Sequence, residues 1–282
     1  MVSMTGAIKQ YGDYKLDISL EIPAGRVTGL VGKNGAGKST TIKMILGLVA
    51  PDAGEVKVFG QDARKLSLEN KERMGIALAE AGFTKFFAPD DILLIMKKMY
   101  KDFDADLFTR KCKELDIPMK KKTKEFSTGM RAKLRVLLAM CHKADLLVLD
   151  EPTAGLDVEA RAEILDMLRK YMAENEERSI LITSHISSDL EGLCDDIYLI
   201  DDGKVLIHEE TGNLLEDYGV LKLTDSRYEE IDKTYILSTK KESFGYSCIT
   251  GERQYYQENY PDVVIEKSGI DELILMMTGG NR

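Results

Sequence analysis

The strongest constraint on this chain is a change of pattern at Gly32. Val27–Val31 is a short apolar run, as expected of a strand buried on both faces of a parallel sheet. It ends at Gly32, and the next stretch, Gly32-Lys33-Asn34-Gly35-Ala36-Gly37-Lys38-Ser39-Thr40, fits G-x-x-x-x-G-K-[ST]. Lys38–Leu48 then reads as a helix with Ile42, Ile45 and Leu46 inward, closed by Gly47 and Pro51. A strand, a glycine-rich loop and a helix in this order form a cradle for phosphates. The glycines let backbone N–H groups turn inward, Lys38 reaches the β- and γ-phosphates, and the Ser39 hydroxyl ligates magnesium. The positive end of the helix faces the anion.

The rest of the chain supplies a layered core. Leu16, Ile18, Leu20 and Ile22 alternate as on a half-buried strand, before the turn Pro23-Ala24-Gly25. Val56–Phe59, Ile76–Ala79, Leu146–Leu149 and Ser179–Thr183 read as further strands, and Ile197–Ile200 with Lys204–Ile207 as a hairpin around Asp202-Gly203. Between them, residues 83–135 carry a helical pattern, with Ile92, Leu93, Met96, Met99 and Tyr100 at helix spacing and the methionines as core filler. Asp157 is placed to cap a helix running through Tyr171, with Ile164, Leu165 and Leu168 inward, and Ser187–Leu193 reads as another helix. This alternation predicts an α/β fold with a mainly parallel sheet. After Glu216 the character changes. Val220–Leu223, Tyr235–Leu237 and Val263–Glu266 read as strands, and Ser268-Gly269-Ile270-Asp271 as a capping box before the apolar helix Leu273–Met277. Residues 1–216 are expected to form the main domain, and residues 217–282 a small α+β appendage.

Composition narrows the function. An apolar content of 44% supports a folded core. Acidic residues outnumber basic ones, 48 to 39, which argues against a broad nucleic-acid face. The basic run at Lys120–Lys124 reads as a solvated turn. No apolar run approaches the ~20 residues of a membrane span, and Met1–Lys9 lacks the apolar stretch of a signal peptide. The expectation is a cytoplasmic protein whose membrane role, if it has one, passes through a partner. Cys112, Cys141, Cys194 and Cys248 are scattered and read as reduced packing residues; Cys141-His142 lacks the second ligand pair of a metal site.

A second element carries chemistry. Asp150, at the end of an apolar strand, can hold the magnesium shell, and Glu151 then sits where it can polarise an attacking water. With these in place, the chain resembles the nucleotide-binding subunits of ATP-binding cassette (ABC) transporters over roughly residues 1–210. The motifs stand in the family's order. Phe126-Ser127-Thr128-Gly129-Met130 is similar to the signature LSGGQ, matching at Ser127 and Gly129 and departing at Phe126, Thr128 and Met130. Glu151-Pro152-Thr153-Ala154-Gly155-Leu156-Asp157 matches the Walker B end and the D-loop, and Ser184-His185 occupies the switch-histidine position. Tyr11 is placed like the aromatic that stacks on adenine, with Tyr14 as the alternative. Where the family has glutamine after the strand at Ile76–Ala79, this chain has Glu80, a carboxylate able to reach magnesium or its water but unable to donate a hydrogen bond when ionised.

The resemblance implies an ABC-type P-loop NTPase core with an N-terminal antiparallel β subdomain and a helical subdomain at about residues 83–135. It implies ATP and Mg2+ as ligands. Gly32, Asn34 to Thr40, Ser127, Gly129, Asp157 and Tyr11 would hold nucleotide; Ser39, Asp150 and Glu80 would hold metal; Glu151 and His185 would act in catalysis. Each ATP would lie between the phosphate loop of one subunit and the signature of a second, and the motor would drive a separately encoded permease on the inner face of the membrane. Export is the expected direction and a homodimer the expected pairing, with no nucleic acid. The alternative is a soluble single-cassette ATPase without a permease, for example one serving cluster assembly. A cassette that binds ATP without turning it over is disfavoured, because Lys38, Asp150, Glu151 and His185 are all present.

Overall fold

The computed structural model describes residues 1–78, 86–184 and 187–279, with the backbone alone for residues 187 and 188. Strands β1 (Val2–Tyr11) and β2 (Tyr14–Ile22) form a hairpin, and the alternation places Leu16, Ile18, Leu20 and Ile22 on its buried face. All of β3 (Val27–Val31) is buried. Helix α1 (Lys38–Ile45) stops three residues before the expected Leu48. Gly47 takes φ +67° there and its N–H donates to Met44 O at 3.0 Å, which leaves the Leu48 side chain exposed.

The chain continues through β4 (Ala53–Val58), β5 (Gln61–Asp62), the short α2 (Leu68–Glu72) and β6 (Met74–Ala77). The helical region comprises α3 (Pro89–Met99), α4 (Ala105–Glu114) and α5 (Thr128–Met140). Ile92, Met96, Phe108 and Cys112 are buried among these helices. Met99 departs from the expected filler role: it is the last residue of α3, and its side chain is 60% exposed. Then follow β7 (Leu146–Asp150), α6 (Val158–Ala173), β8 (Ser179–Thr183), α7 (Ser187–Glu191), β9 (Asp196–Asp201), β10 (Lys204–Glu210) and α8 (Thr211–Glu216).

These strands make one sheet in the order β5-β4-β1-β2-β10-β9-β3-β8-β7-β6. The half β9-β3-β8-β7-β6 is parallel throughout. The half built on β1, β2, β4 and β5 is antiparallel, and β10 joins the two, antiparallel to β9 and parallel to β2 through Lys204 and Asp17. In β7 the pleat sends Leu146 and Val148 to one apolar layer and Leu147 and Leu149 to the other, so a continuous apolar run fills both faces. The parallel half also gathers the C-terminal ends of β3, β7 and β8 at one edge, where ligands bind in open α/β sheets.

The remaining residues form β11 (Gly219–Leu223), α9 (Asp225–Glu230), β12 (Ile236–Glu242), β13 (Gly245–Thr250), α10 (Arg253–Asn259), β14 (Val264–Lys267) and α11 (Ile270–Gly279). The strands pair antiparallel in the order β12-β13-β11-β14. Strand β13 and helices α9 and α10 go beyond the sequence expectation. The appendage is not a loose attachment. Val220, Ile249, Ile270, Leu273, Met276 and Met277 share one buried cluster with Leu190, Cys194 and Leu214 of the preceding stretch. Ile270 N–H donates to Glu191 Oε1 at 3.1 Å. No helix among the described residues is long and apolar enough to cross a membrane.

Candidate functional site

A cavity of about 510 Å³ opens where β3 runs into α1 and β7 ends. Its wall carries Lys33, Asn34, Gly35, Gly37, Lys38, Ser39 and Thr40 from the loop, Tyr14 from β2, Leu78, and Asp150 and Glu151 from β7 and its turn.

The loop is shaped by its own backbone. Gly37 begins α1 at φ +118°, and no side chain caps the helix, so no cap competes for the amide groups of its first turn. A Cβ at Gly37 would lie 2.4 Å from Leu16 Cδ1 and 2.7 Å from Tyr14 Oη, so both the conformation and the space demand glycine. Lys38 is buried, and its Nζ donates to Gly32 O at 2.6 Å and Lys33 O at 3.2 Å. Burial holds its pKa below 10.5, while Glu151 and Asp150 pull in the opposite direction. The amine is thus desolvated and folded onto carbonyls that an incoming anion can replace. The Ser39 side chain is exposed at the cavity wall.

The acidic pair is fixed from β8. Thr183 Oγ1 donates to Asp150 Oδ1 at 2.8 Å and accepts from Glu151 N–H at 2.9 Å; that N–H also reaches Thr183 O at 3.2 Å. These bonds hold Glu151 at φ +49°, a left-handed conformation unusual for a residue with a side chain. Arg135 of α5 donates to Leu78 O at 3.1 Å. Burial lowers its pKa, and the charge of Asp150 opposes that shift. Ser39 and Asp150 both line the cavity and offer hard oxygen donors, a set that suits magnesium.

The other expected residues fall in different places. Tyr14 lines the cavity, its Oη buried without a hydrogen-bond partner and its pKa raised by burial and then by Asp202. Tyr11 is paired across the hairpin with Tyr14 but is 46% exposed and is not part of the cavity wall. The structure therefore puts the alternative aromatic, not the preferred one, at the cavity. Ser127 caps α5, accepting from Met130 N–H at 3.1 Å, and its side chain is exposed. Phe126, the first departure from the signature pattern, is buried. Gly129 lets α5 approach α6: a Cβ there would sit 3.2 Å from Ala160 Cβ. Asp157 caps α6 through Ala160 N–H at 2.8 Å. Ser127, Gly129 and Asp157 do not line the cavity. Glu80 and His185 lie outside the described residues.

Sequence reasoning missed Thr183 and Arg135. Thr183 carries a faint signal, a polar residue closing an apolar strand. It also missed a contact of the loop with the appendage: Lys33 Nζ donates to Thr278 O of α11 at 3.1 Å.

Comparison with known proteins now decides the family. The ABC transporter family model matches residues 16–154. The Nod factor export ATP-binding protein I of Burkholderia orbicola (strain AU 1054) is 33% identical over 229 residues, 75% of this chain and 74% of that protein. The chain belongs to the ATP-binding subunits of ABC transporters. The bacitracin transport ATP-binding protein BcrA of Bacillus licheniformis is 32% identical over 73% of this cassette and 68% of its own length. Among solved structures, the ATP-binding cassette MJ0796, captured as a dimer in a post-hydrolysis state with ADP and phosphate, superposes with TM-score 0.64. It is 19% identical, and the match covers 75% of this cassette and 99% of that chain, so the likeness is one of fold. Residues 217–282 lie beyond the family model's match.

Proposed function

We propose that this cassette binds ATP with magnesium in the cavity, hydrolyses it, and powers a separate membrane permease, with export as the direction. The observation that carries the reading is the convergence of Lys38, Ser39, Asp150 and Glu151 on one cavity at the C-terminal edge of the parallel sheet. The names of the relatives, Nod factor export and bacitracin transport, support the transport role and the direction.

The chemistry follows from the residues. The amide groups at the start of α1 and the Lys38 amine hold the β- and γ-phosphates, and Lys38 exchanges the carbonyls of Gly32 and Lys33 for phosphate oxygens. Ser39 and Asp150 would hold magnesium, which neutralises charge on the β- and γ-phosphates. Glu151 orients and polarises the attacking water, with Thr183 fixing its turn. Tyr11, exposed at the end of the hairpin, stacks on the base, with Tyr14 on the cavity wall as the alternative. His185 contacts the γ-phosphate, and Glu80 acts on magnesium or its water.

One copy leaves the γ-phosphate side of this cavity without the signature. Ser127 and Gly129 lie elsewhere, at the exposed start of α5. A second copy brings its own Ser127, Gly129 and Asp157 across, so that ATP closes a homodimer and hydrolysis opens it. The cassette then works peripherally on the inner face of the membrane, through its permease.

The test is phosphate release by the purified wild type and by Glu151→Gln, with oligomeric state followed by light scattering. Wild type should hydrolyse ATP in the presence of magnesium. Glu151→Gln should lose at least about 10²-fold in rate and form a stable dimer on adding ATP. Equal rates for the two proteins would refute the role of Glu151. An integral membrane protein should co-purify from cells; consistent recovery without one would overturn the transport reading.

A further inference from the structure

Asp189 is a buried carboxylate that the proposed chemistry does not use. It lies on α7, four positions after His185 in the chain, and is 1% exposed. Both its oxygens are taken. Oδ2 accepts from Thr153 Oγ1 at 2.6 Å, and Oδ1 accepts from Arg161 Nη2 at 2.5 Å and Nε at 3.1 Å. Thr153 is itself fully buried, two positions after Glu151. The segment between them is a tight turn: Ala154 N–H donates to Glu151 O and Leu156 N–H to Thr153 O, each at 3.3 Å. Arg161 stands in the first turn of α6, just after the Asp157 cap. Three segments therefore meet on one carboxylate: the turn that carries Glu151, the start of α6, and α7.

A buried ion pair is a poor source of stability compared with apolar packing, because desolvation offsets the attraction. What it does supply is directional, short-range fixation of the groups it joins. We propose that Asp189 is a positioning residue for hydrolysis. It locks the turn beyond Glu151 against α7, so that the Glu151 carboxylate and α7 keep a set relation around the attacked phosphate. It touches no reacting atom, and acts through Thr153. The inference rests on the reading of Glu151 as the residue that polarises water.

The test compares Thr153→Val, Thr153→Ser, Asp189→Asn, the double variant Thr153→Val with Asp189→Asn, and Glu151→Gln in one steady-state ATPase assay. Thr153→Val removes only the hydroxyl. It should lower kcat about tenfold through misplacement of Glu151 and leave KM for ATP within about twofold. Thr153→Ser keeps the hydroxyl and should restore the rate. Asp189→Asn should resemble Thr153→Val, and the double variant should be no slower than the slower single, since both break one link. Wild-type kcat in a folded Thr153→Val protein overturns the proposal, as does a Thr153→Ser protein as slow as Thr153→Val. Additive losses in the double variant also overturn it. If Asp189→Asn does not fold, the two Thr153 variants decide alone. If Glu151→Gln works at the wild-type rate, the catalytic reading falls and takes this one with it. If Glu151→Gln is inactive and Thr153→Val unimpaired, only the positioning role falls.

Discussion

Replacing Thr183 by valine isolates the hinge of the acidic pair. The substitution keeps volume and β-branching at a site with 0% exposure and deletes one hydroxyl. That hydroxyl donates to Asp150 at 2.8 Å and accepts from the Glu151 N–H at 2.9 Å. A hydrogen bond to an ionised group contributes about 1.5–3 kcal/mol, and a neutral one about 0.5–1.5 kcal/mol. Two effects reduce the loss. Glu151 N–H retains Thr183 O at 3.2 Å, and Asp150 is only half-buried, so water replaces part of what it loses. The net cost is about 1.5–2.5 kcal/mol, or a melting temperature about 2–4 °C lower for a chain of 282 residues. The kinetic effect is larger. Glu151 is held at φ +49° by the bond that weakens, and an ångström of drift in a positioned group costs up to about 10²-fold in rate. Calorimetry and steady-state ATPase assays should give that fall in stability, a kcat about 10- to 100-fold lower, and a KM for ATP little changed, because Lys38 and the loop amides are untouched. Thr183→Ser should recover both properties. A valine variant with unchanged melting temperature and kcat would refute the reasoning, as would a serine variant no better than valine.

Three further outcomes follow from the same geometry. Burial lowers the Lys38 pKa, so the folded state holds that proton less tightly than the unfolded chain, and its contribution to stability rises with pH from the lowered pKa up to 10.5. The melting temperature of nucleotide-free wild type minus that of Lys38→Met should therefore increase across that window in a pH series, and nucleotide should raise the melting temperature of wild type only. Ser127→Ala deletes the cap on α5 and should cost about 1 kcal/mol in denaturant unfolding. Combined with Glu151→Gln it should also weaken ATP-induced dimerisation measured by light scattering; dimerisation at full strength would contradict a shared site. Leu273→Ala, at a side chain 3% exposed in the cluster common to appendage and cassette, should cost about 2–5 kcal/mol and leave one unfolding transition, checked by calorimetry.

The parts of this molecule that could be read in advance are those where sequence neighbours are also neighbours in space. Gly32 to Thr40 is one contiguous loop, and its chemistry is local. Asp150 and Glu151 could be placed because an apolar run must end at the edge of the sheet. Thr183 and Asp189 act through strand and helix adjacency, β8 beside β7 and α7 beside the start of α6, and nothing in a linear pattern announces such pairings. The choice between Tyr11 and Tyr14 is a further case. The two residues pair across the end of one hairpin, and of the two it is Tyr14 that lines the cavity, a difference that strand alternation does not announce. Strand β13 was hidden by composition: Ser247 and Thr250 are buried polar residues, and they break the apolar alternation that marks a strand. Met99 misled because the helical period continues to the last turn of α3, where the packing partners do not.

Helix α11 ties two distant points of the cassette to one rod. Its first amide is held by Glu191, on the helix that follows position 185, and a carbonyl in its last turn holds Lys33 of the phosphate loop. At about 1.5 Å per residue, the ten residues of Ile270–Gly279 make a strut of roughly 15 Å. A strut pinned at both ends sets the spacing between its anchors. Any shift of α7 relative to the phosphate loop must be taken up at the two joints, and the softer one is the single, solvent-exposed Lys33 contact.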